Sequence, residues 1–339
     1  MNQTNKVTII AEIGPNHNGS ITKAKMMIKK ISKIGVDVIK FQIGNPDLVY
    51  SEDSIMANYQ KKFDKSKSII EMSKKNQLSL SEHIKLYNYC RKHKVKYACS
   101  AFDLKSLENL HKKVNLPLFK IPSGEIHSLD ILNYISKQNK KIFLSTGMAS
   151  IDDISKAIKI LKKNGKKKIT LLHCVSSYPA DNNKLNLNFM DTLKNYFNLP
   201  IGFSDHSLSD LGCLAAVSKG ARVIEKHVTI SKKLIGPDHK SSFTISEFKK
   251  LVNKVRDLEK ILGKNNKKFF KDELNVKKVA RKSIVTNKEL KKNHKIRYSD
   301  LAFKRPGTGF SPLEINLVIG RKTKVTIPKN KFIKSSLIK

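Results

Sequence analysis

The sequence predicts an α/β protein, a (β/α)₈ barrel followed by a small β-rich domain. Three observations carry that expectation. Eight short apolar, β-prone runs recur between Val7 and His227, each followed by a polar or glycine-containing loop and most by a segment of helical periodicity. The runs are close to continuously apolar, as strands buried on both faces require. Beyond Lys271 the texture changes to short β-like pieces set off by glycine and proline, so a second and smaller unit follows.

In chain order the runs are VTIIAEIG from Val7, VDVIKFQI from Val36, KYACSAFD from Lys96, LFKIPSGE from Leu118, KIFLSTG from Lys141, KITLLHC from Lys168, PIGFSDH from Pro200 and ARVIEKH from Ala221. Amphipathic helices are expected between them, among others over Ile21 to Ile34, Ser79 to His93 and Ile151 to Lys163. Ser79 with Glu82 forms a capping box at the start of the second, and Thr244 with Glu247 another before a helix that follows the eighth run. Eight repeats favour closure into a TIM-type barrel. The later pieces KSIVTN, IRYSDLAFK and VIGRKTKVTIPK belong to the small domain. The expected division is a barrel over residues 1–265, a linker over 266–278 and the β domain over 279–339.

At 339 residues and 39% hydrophobic content, the chain can fill both cores. No apolar run approaches the roughly 20 residues a membrane helix needs. The opening MNQTNKVTII leads directly into a strand and has no signal-peptide core, so a cytoplasmic protein that avoids membranes is expected. Cys90, Cys99, Cys174 and Cys213 lack CxxC spacing and suggest neither a disulfide framework nor a zinc knuckle. A formal charge of +39 raises nucleic acid as a partner, but nucleic-acid binders gather arginine and aromatic residues on one surface. With seven arginines, no tryptophan and lysines on nearly every helix, solvated helix faces are the better reading, with a general attraction for small anions.

In such a barrel the reactive groups follow the C-terminal ends of the strands. Glu12, Asn16 and His17 follow the first run, and Lys40 and Gln42 end the second. Ser100 ends the third, Lys120, Ser123 and Glu125 the fourth, and Ser145 and Thr146 the fifth. His173, Ser176 and Tyr178 follow the sixth, Ser204, Asp205 and His206 the seventh, and Glu225, Lys226 and His227 the eighth. His206 and His227 end adjacent strands, and two imidazoles with open positions suit a catalytic divalent metal. Lys40 and Lys120, beside Ser100, Ser123, Ser176 and Ser204, suit a phosphate and a carboxylate. A metal-dependent barrel aldolase or sugar isomerase would share the histidines but would not need the anion cradle.

The runs AEIGPNHNGS, KFQ, KIPSGE, LSTGMAS, LLHCVSSYPA, GFSDHS, EKHVT and GPDHKSS closely resemble the sialic acid synthases, including the legionaminic and pseudaminic acid synthases, over almost the whole chain. LAFKRPGTGFSP resembles that family's antifreeze-like, or SAF, domain. The resemblance implies condensation of phosphoenolpyruvate with an acetamido sugar by a domain-swapped homodimer that uses manganese, magnesium or cobalt. It further implies that Glu12 contacts a metal-bound water and the sugar, and that Lys40, Ser100, Lys120, Ser123, Ser176 and Ser204 cradle phosphoenolpyruvate. His206 and His227 become the metal ligands, Gln42, Tyr178 and Asp238 orient the sugar hydroxyls, Glu125 acts near the reacting carbons, and Arg305 reaches the acetamido group.

Overall fold

The computed structural model describes residues 6–263 and 266–339, so the opening MNQTN and the expected boundary at residue 265 fall outside the described residues. The chain divides into two compact units, the first ending at Gly263.

All eight runs are strands: β1 (Thr8–Glu12), β2 (Val38–Ile43), β3 (Lys96–Ala101), β4 (Leu118–Ile121), β5 (Lys141–Ser145), β6 (Ile169–Cys174), β7 (Ile201–Asp205) and β8 (Val223–Thr229). From β3 the parallel ladder passes through β2, β1, β8, β7, β6 and β5 to β4. The end strands β3 and β4 lie side by side, so the barrel is nearly closed. A two-residue strand, β9 (Phe243–Thr244), pairs with the end of β8.

Helices α1 (Ile21–Ile31), α5 (Leu80–Lys92), α6 (Leu104–Lys113), α7 (Leu129–Ser136), α8 (Ile151–Lys162), α9 (Phe189–Phe197), α10 (Leu211–Ser218) and α11 (Ile245–Leu262) cover the outside, while the short helices α2 (Pro46–Val49), α3 (Asn58–Phe63) and α4 (Ile69–Asn76) lie in the connection from β2 to α5. Both expected capping boxes form. The Ser79 hydroxyl accepts from the Glu82 amide and the Thr244 hydroxyl from the Glu247 amide, satisfying donors that a helix start leaves open. The helix expected to run to Ile34 tightens into a 3₁₀ turn over Ser32–Ile34 and ends on the left-handed Gly35.

Strand side chains alternate between two faces. Outward residues such as Ile9, Ile39, Phe41, Phe119, Leu171, Phe203 and Ile224 pack on the helices. Inward, Ile10, Val38, Ala98, Leu118, Phe143, Leu172 and Val223 form an apolar layer across the barrel. Gly202 completes that layer because a Cβ there would lie 2.6 Å from both Leu172 Cδ2 and Val223 O. Two residues further along the same strands stand Glu12, Lys40, Ser100, Lys120, Ser145, Cys174, Ser204 and Glu225, all buried. The polar floor of the barrel mouth is therefore the next inward layer above an apolar plug.

The second unit packs Ile284, Leu290, Ile296, Val318, Ile327 and Ile333 into its own small core. KSIVTN supplies β10 (Ser283–Thr286), and IRYSDLAFK supplies a 3₁₀ turn and then β11 (Leu301–Lys304), antiparallel to β10. VIGRKTKVTIPK forms isolated bridges, among them Leu290 to Ile327 and Lys295 to Lys322, and no continuous strand. The segment expected as linker carries a helix, α12 (Lys271–Ala280). Asp272 and Glu273 in its first turn and Lys277 and Lys278 in its last complement the helix dipole.

Candidate active site

The floor of the mouth is a charge cluster drawn from four strands, β1, β2, β4 and β8. In the ladder, Glu12 of β1 is level with Lys40 of β2 and with His227 of β8, and Ser204 of β7 is level with Glu225 of β8. The Lys40 ammonium touches the Glu12 carboxylate, donates to Ser100 Oγ at 3.3 Å, and lies 3.9 Å from Glu225 Oε2. Glu225 Oε1 pairs with Lys120 Nζ at 3.2 Å and accepts from the Ser204 hydroxyl at 3.0 Å. Burial pulls Lys40 down to about 8, and the neighbouring Lys120 charge adds to the fall, against the opposing attraction of Glu225. Burial works equally against the Glu225 carboxylate, but Lys120 and Lys40 outweigh it and hold the group down at about 2, so it is ionised.

Above the floor opens a cavity of about 400 Å³, bordered by Lys40, Lys120, Ser123, Ser145, Ser176, Ser204 and Glu225 below and by His206, His227, Tyr178 and Asp238 on one side. Another wall comes from the long β2–α5 connection, through Val49, Tyr50, Tyr59 and Met72. Gly147 follows β5, and its amide donates to Ser123 Oγ at 3.0 Å. A Cβ at Gly147 would lie among Ser176 Oγ, Cys174 Sγ and Ser123 Oγ, so the glycine keeps the hydroxyl cradle open.

The histidine rings are 5.6 Å apart between centroids. Burial lowers the pKa of both, so they are neutral imidazoles. His206 Nδ1 donates to the Val175 carbonyl at 2.8 Å, which leaves the Nε2 lone pair free. His227 Nδ1 is buried with no hydrogen bond and stands 3.5 Å from Asp238 Oδ2. Burial pushes the Asp238 carboxyl up to about 7 against the pull of Lys40. Two neutral imidazoles, one with an orphaned nitrogen, and a carboxyl short of positive charge fit a divalent cation completed by oxygens from water or substrate. Among the described residues no set of three or more His, Cys, Asp or Glu side chains is grouped as a ready-made cage.

The structure brings together Lys40, Lys120, Ser123, Ser176, Ser204, Tyr178, Asp238, His206 and His227 around one cavity. Gln42 also borders it, its amide donating to the Gly14 carbonyl at 3.0 Å. Glu12 and Ser100 are fully buried beneath, against Lys40. Glu125 is half-buried on the β4–α7 loop, where the Ser128 hydroxyl donates to it and burial raises its pKa. Arg305 belongs to the second unit, where it follows β11 and is exposed.

Three strand-end groups serve structure. Lys226 points outward, donating to Asp205 Oδ2 at 2.6 Å and to the Ser207 carbonyl at 2.7 Å, while Cys213 Sγ donates to the same carboxylate oxygen at 3.2 Å. His173 Nε2 donates to the Leu185 carbonyl at 2.7 Å. Sequence reasoning gave Glu225 no role, although a carboxylate at a strand end between two lysine-bearing levels was a usable signal. It passed over the β2–α5 wall, whose short helices carry little periodicity to read.

A (β/α)₈ barrel with two lysines and a ring of hydroxyls below a neutral histidine pair defines a barrel enzyme whose mouth suits a small anion. Residues 27–267 match the NeuB family and residues 281–339 match the SAF domain, and the chain belongs to the NeuB family, the sialic-acid-synthase type of enzyme that makes nonulosonic acids. It is 41% identical to the N,N'-diacetyllegionaminic acid synthase of Campylobacter jejuni, over 93% of this chain and 95% of that one. It is 36% identical to the synthase of the same name from Legionella pneumophila, over 94% and 91%. Among solved structures, the N-acetylneuraminic acid synthetase of Leptospira borgpetersenii, in complex with citrate, superimposes with a TM-score of 0.70 at 32% identity, covering 80% of this chain and 90% of that one.

Proposed function

We propose that this protein joins phosphoenolpyruvate to an open-chain N-acetylated amino-sugar aldehyde and water, giving a nonulosonic acid and phosphate, and that its sugar is a diacetamido sugar of the legionaminic type. The observation that carries the reaction is the convergence of Lys40 and Lys120 with Ser123, Ser176 and Ser204 on one cavity, beside the histidine pair. Those lysines suit the phosphate and carboxylate of phosphoenolpyruvate, and holding both groups places its carbons beside the aldehyde.

Three observations support the choice of sugar. The cations bordering the cavity among the described residues are Lys40 and Lys120, both needed by phosphoenolpyruvate, which leaves none for a sugar phosphate. Val49, Met72, Phe102 and Met148 give an apolar wall that suits a deoxygenated sugar. The two relatives named for diacetyllegionaminic acid are 41% and 36% identical, against 32% for the N-acetylneuraminic acid synthetase.

In the reaction, C3 of phosphoenolpyruvate attacks the aldehyde carbon, and the aldehyde oxygen takes up a proton to become a hydroxyl. Water adds to the cationic C2 and loses a proton, after which the C2–O bond to phosphate breaks and leaves the keto acid. Glu125, with its raised pKa and its Ser128 hydrogen bond, is suited to hold and return that proton. Glu225 holds the two ammonium groups apart and aimed at the anion. A manganese, magnesium or cobalt ion bound by His206 and His227 would supply Lewis-acid polarisation of the aldehyde.

The test is phosphate release by the purified full chain with phosphoenolpyruvate and manganese, set against diacetamido sugars, N-acetylmannosamine and its 6-phosphate. Release with the diacetamido sugar, abolished by EDTA and restored by metal, is the expected result. Release with only the phosphorylated sugar would overturn the sugar assignment, and release with none would overturn the reaction.

A further inference from the structure

The connection between β2 and α5 places the short helix α3 beside the cavity, with Tyr59 bordering it. The Tyr59 ring stacks on the Tyr178 ring at 5.0 Å between centroids and 24° between planes. Tyr178 in turn lies 4.2 Å from the His206 ring and meets the His227 ring edge-on at 6.0 Å. Four rings, Tyr59, Tyr178 and the histidine pair, thus run without a break from α3 into the site. The end of α3 is also fastened to the loop that carries Asp238: the Gly236 amide donates to the Phe63 carbonyl at 3.3 Å, and the Lys240 ammonium stands 4.9 Å over the Phe63 ring.

We propose that Tyr59 is a positioning residue for the sugar, acting through its stack on Tyr178 to fix the aromatic wall beside His206 and His227. The inference rests on the functional reading above. An aromatic stack of this kind contributes orientation as well as contact area, because offset near-parallel rings resist sliding and tilting. With Tyr59 absent, Tyr178 loses one of its ring neighbours and becomes free to turn away from the histidines. The phosphoenolpyruvate cradle is built on the strand ends, where Lys40 pairs with Glu12 and Glu225, and Lys120 with Glu225. That cradle does not depend on α3, so the consequence falls on the second substrate.

The full-length variants Tyr59→Ala and Tyr59→Phe, assayed by phosphate release with each substrate varied in turn, test this. Tyr59→Ala should raise KM for the sugar about tenfold, a loss of about 1.4 kcal/mol, with KM for phosphoenolpyruvate unchanged. Tyr59→Phe keeps the ring and should restore KM for the sugar. An unchanged sugar KM in Tyr59→Ala, or both KM values rising together, would overturn the proposal, as would a Tyr59→Phe variant as impaired as Tyr59→Ala. If Tyr59→Ala melts below the assay temperature, Tyr59→Leu, which fills space without stacking, takes its place with the same expectation. Wild-type protein that turns over no acetamido sugar would instead overturn the functional reading, an outcome visible before any variant is compared.

Discussion

Glu225 sets the charge balance of the barrel mouth, because both buried ammonium groups lean on it and its own ionisation depends on them. Removing one partner of a buried ion pair leaves an uncompensated charge, at a cost of about 3–5 kcal/mol. Glu225→Gln should therefore lower stability by about 3 kcal/mol in the absence of substrate. Phosphoenolpyruvate would supply the missing negative charge, so it should raise the melting temperature of this variant more than that of the wild type. Thermal melts with and without phosphoenolpyruvate decide the matter, and a shift no larger than the wild type's would contradict the placing of that anion between Lys40 and Lys120. The sequence showed Glu225, Lys226 and His227 at one strand end but not which of them faces inward. Both faces of these strands are apolar, so the alternation that reveals parity on a half-solvated strand is missing. Only the register places Glu225 inside with the lysines and Lys226 outside on Asp205.

At the scale of elements, β7 tolerates no side chain at its second position. A Cβ on Gly202 would approach Leu172 Cδ2 and Val223 O at 2.6 Å and Val223 Cβ at 2.8 Å, and one of those contacts is backbone. Gly202→Ala should destabilise the protein by about 1–3 kcal/mol, seen as a lower urea midpoint, and should lower activity because the crowded Val223 stands two residues before Glu225. Unchanged stability would mean that the apolar plug yields more easily than its packing implies. Strands, major helices and both capping boxes were legible because local pattern specifies them. Helix α12 and the β2–α5 wall were not. The first is a charged segment whose end-to-end charge order mattered more than its apolar pattern, and the second consists of helices too short for periodicity to register.

At the scale of the whole molecule, several histidines are buried in neutral form. Burial lowers His17 to about 4, His83 to about 3 and His239 to about 4. In the unfolded chain each would titrate near 6.5. Between those values the unfolded state binds more protons, so stability is full above about pH 6.5 and falls as the pH drops toward 4, by up to about 1.4 kcal/mol per pH unit for each group. Asp238, raised to about 7, works in the opposite sense but is outnumbered. Urea midpoints measured from pH 7.5 to 4.5 should decline steadily, and His83→Gln should flatten the slope. A flat profile would mean that these rings take up protons in the folded state as readily as in the unfolded chain. Among the described residues no helix is long and apolar enough to cross a membrane.

The sequence by itself determined the eight strands, their alternation with helices, the separate β unit, and a set of strand-end residues that includes the lysines and the histidine pair. These are local or periodic properties, legible because hydrophobic period and capping chemistry act over a few residues. Tertiary structure alone decided which strand-end groups face the cavity, that Glu225 couples Lys40 to Lys120, and that Tyr59 stacks on Tyr178 from a helix more than a hundred residues earlier in the chain. Those relations arise when barrel closure sets strand register and brings distant segments together, and no local pattern in the chain encodes that geometry.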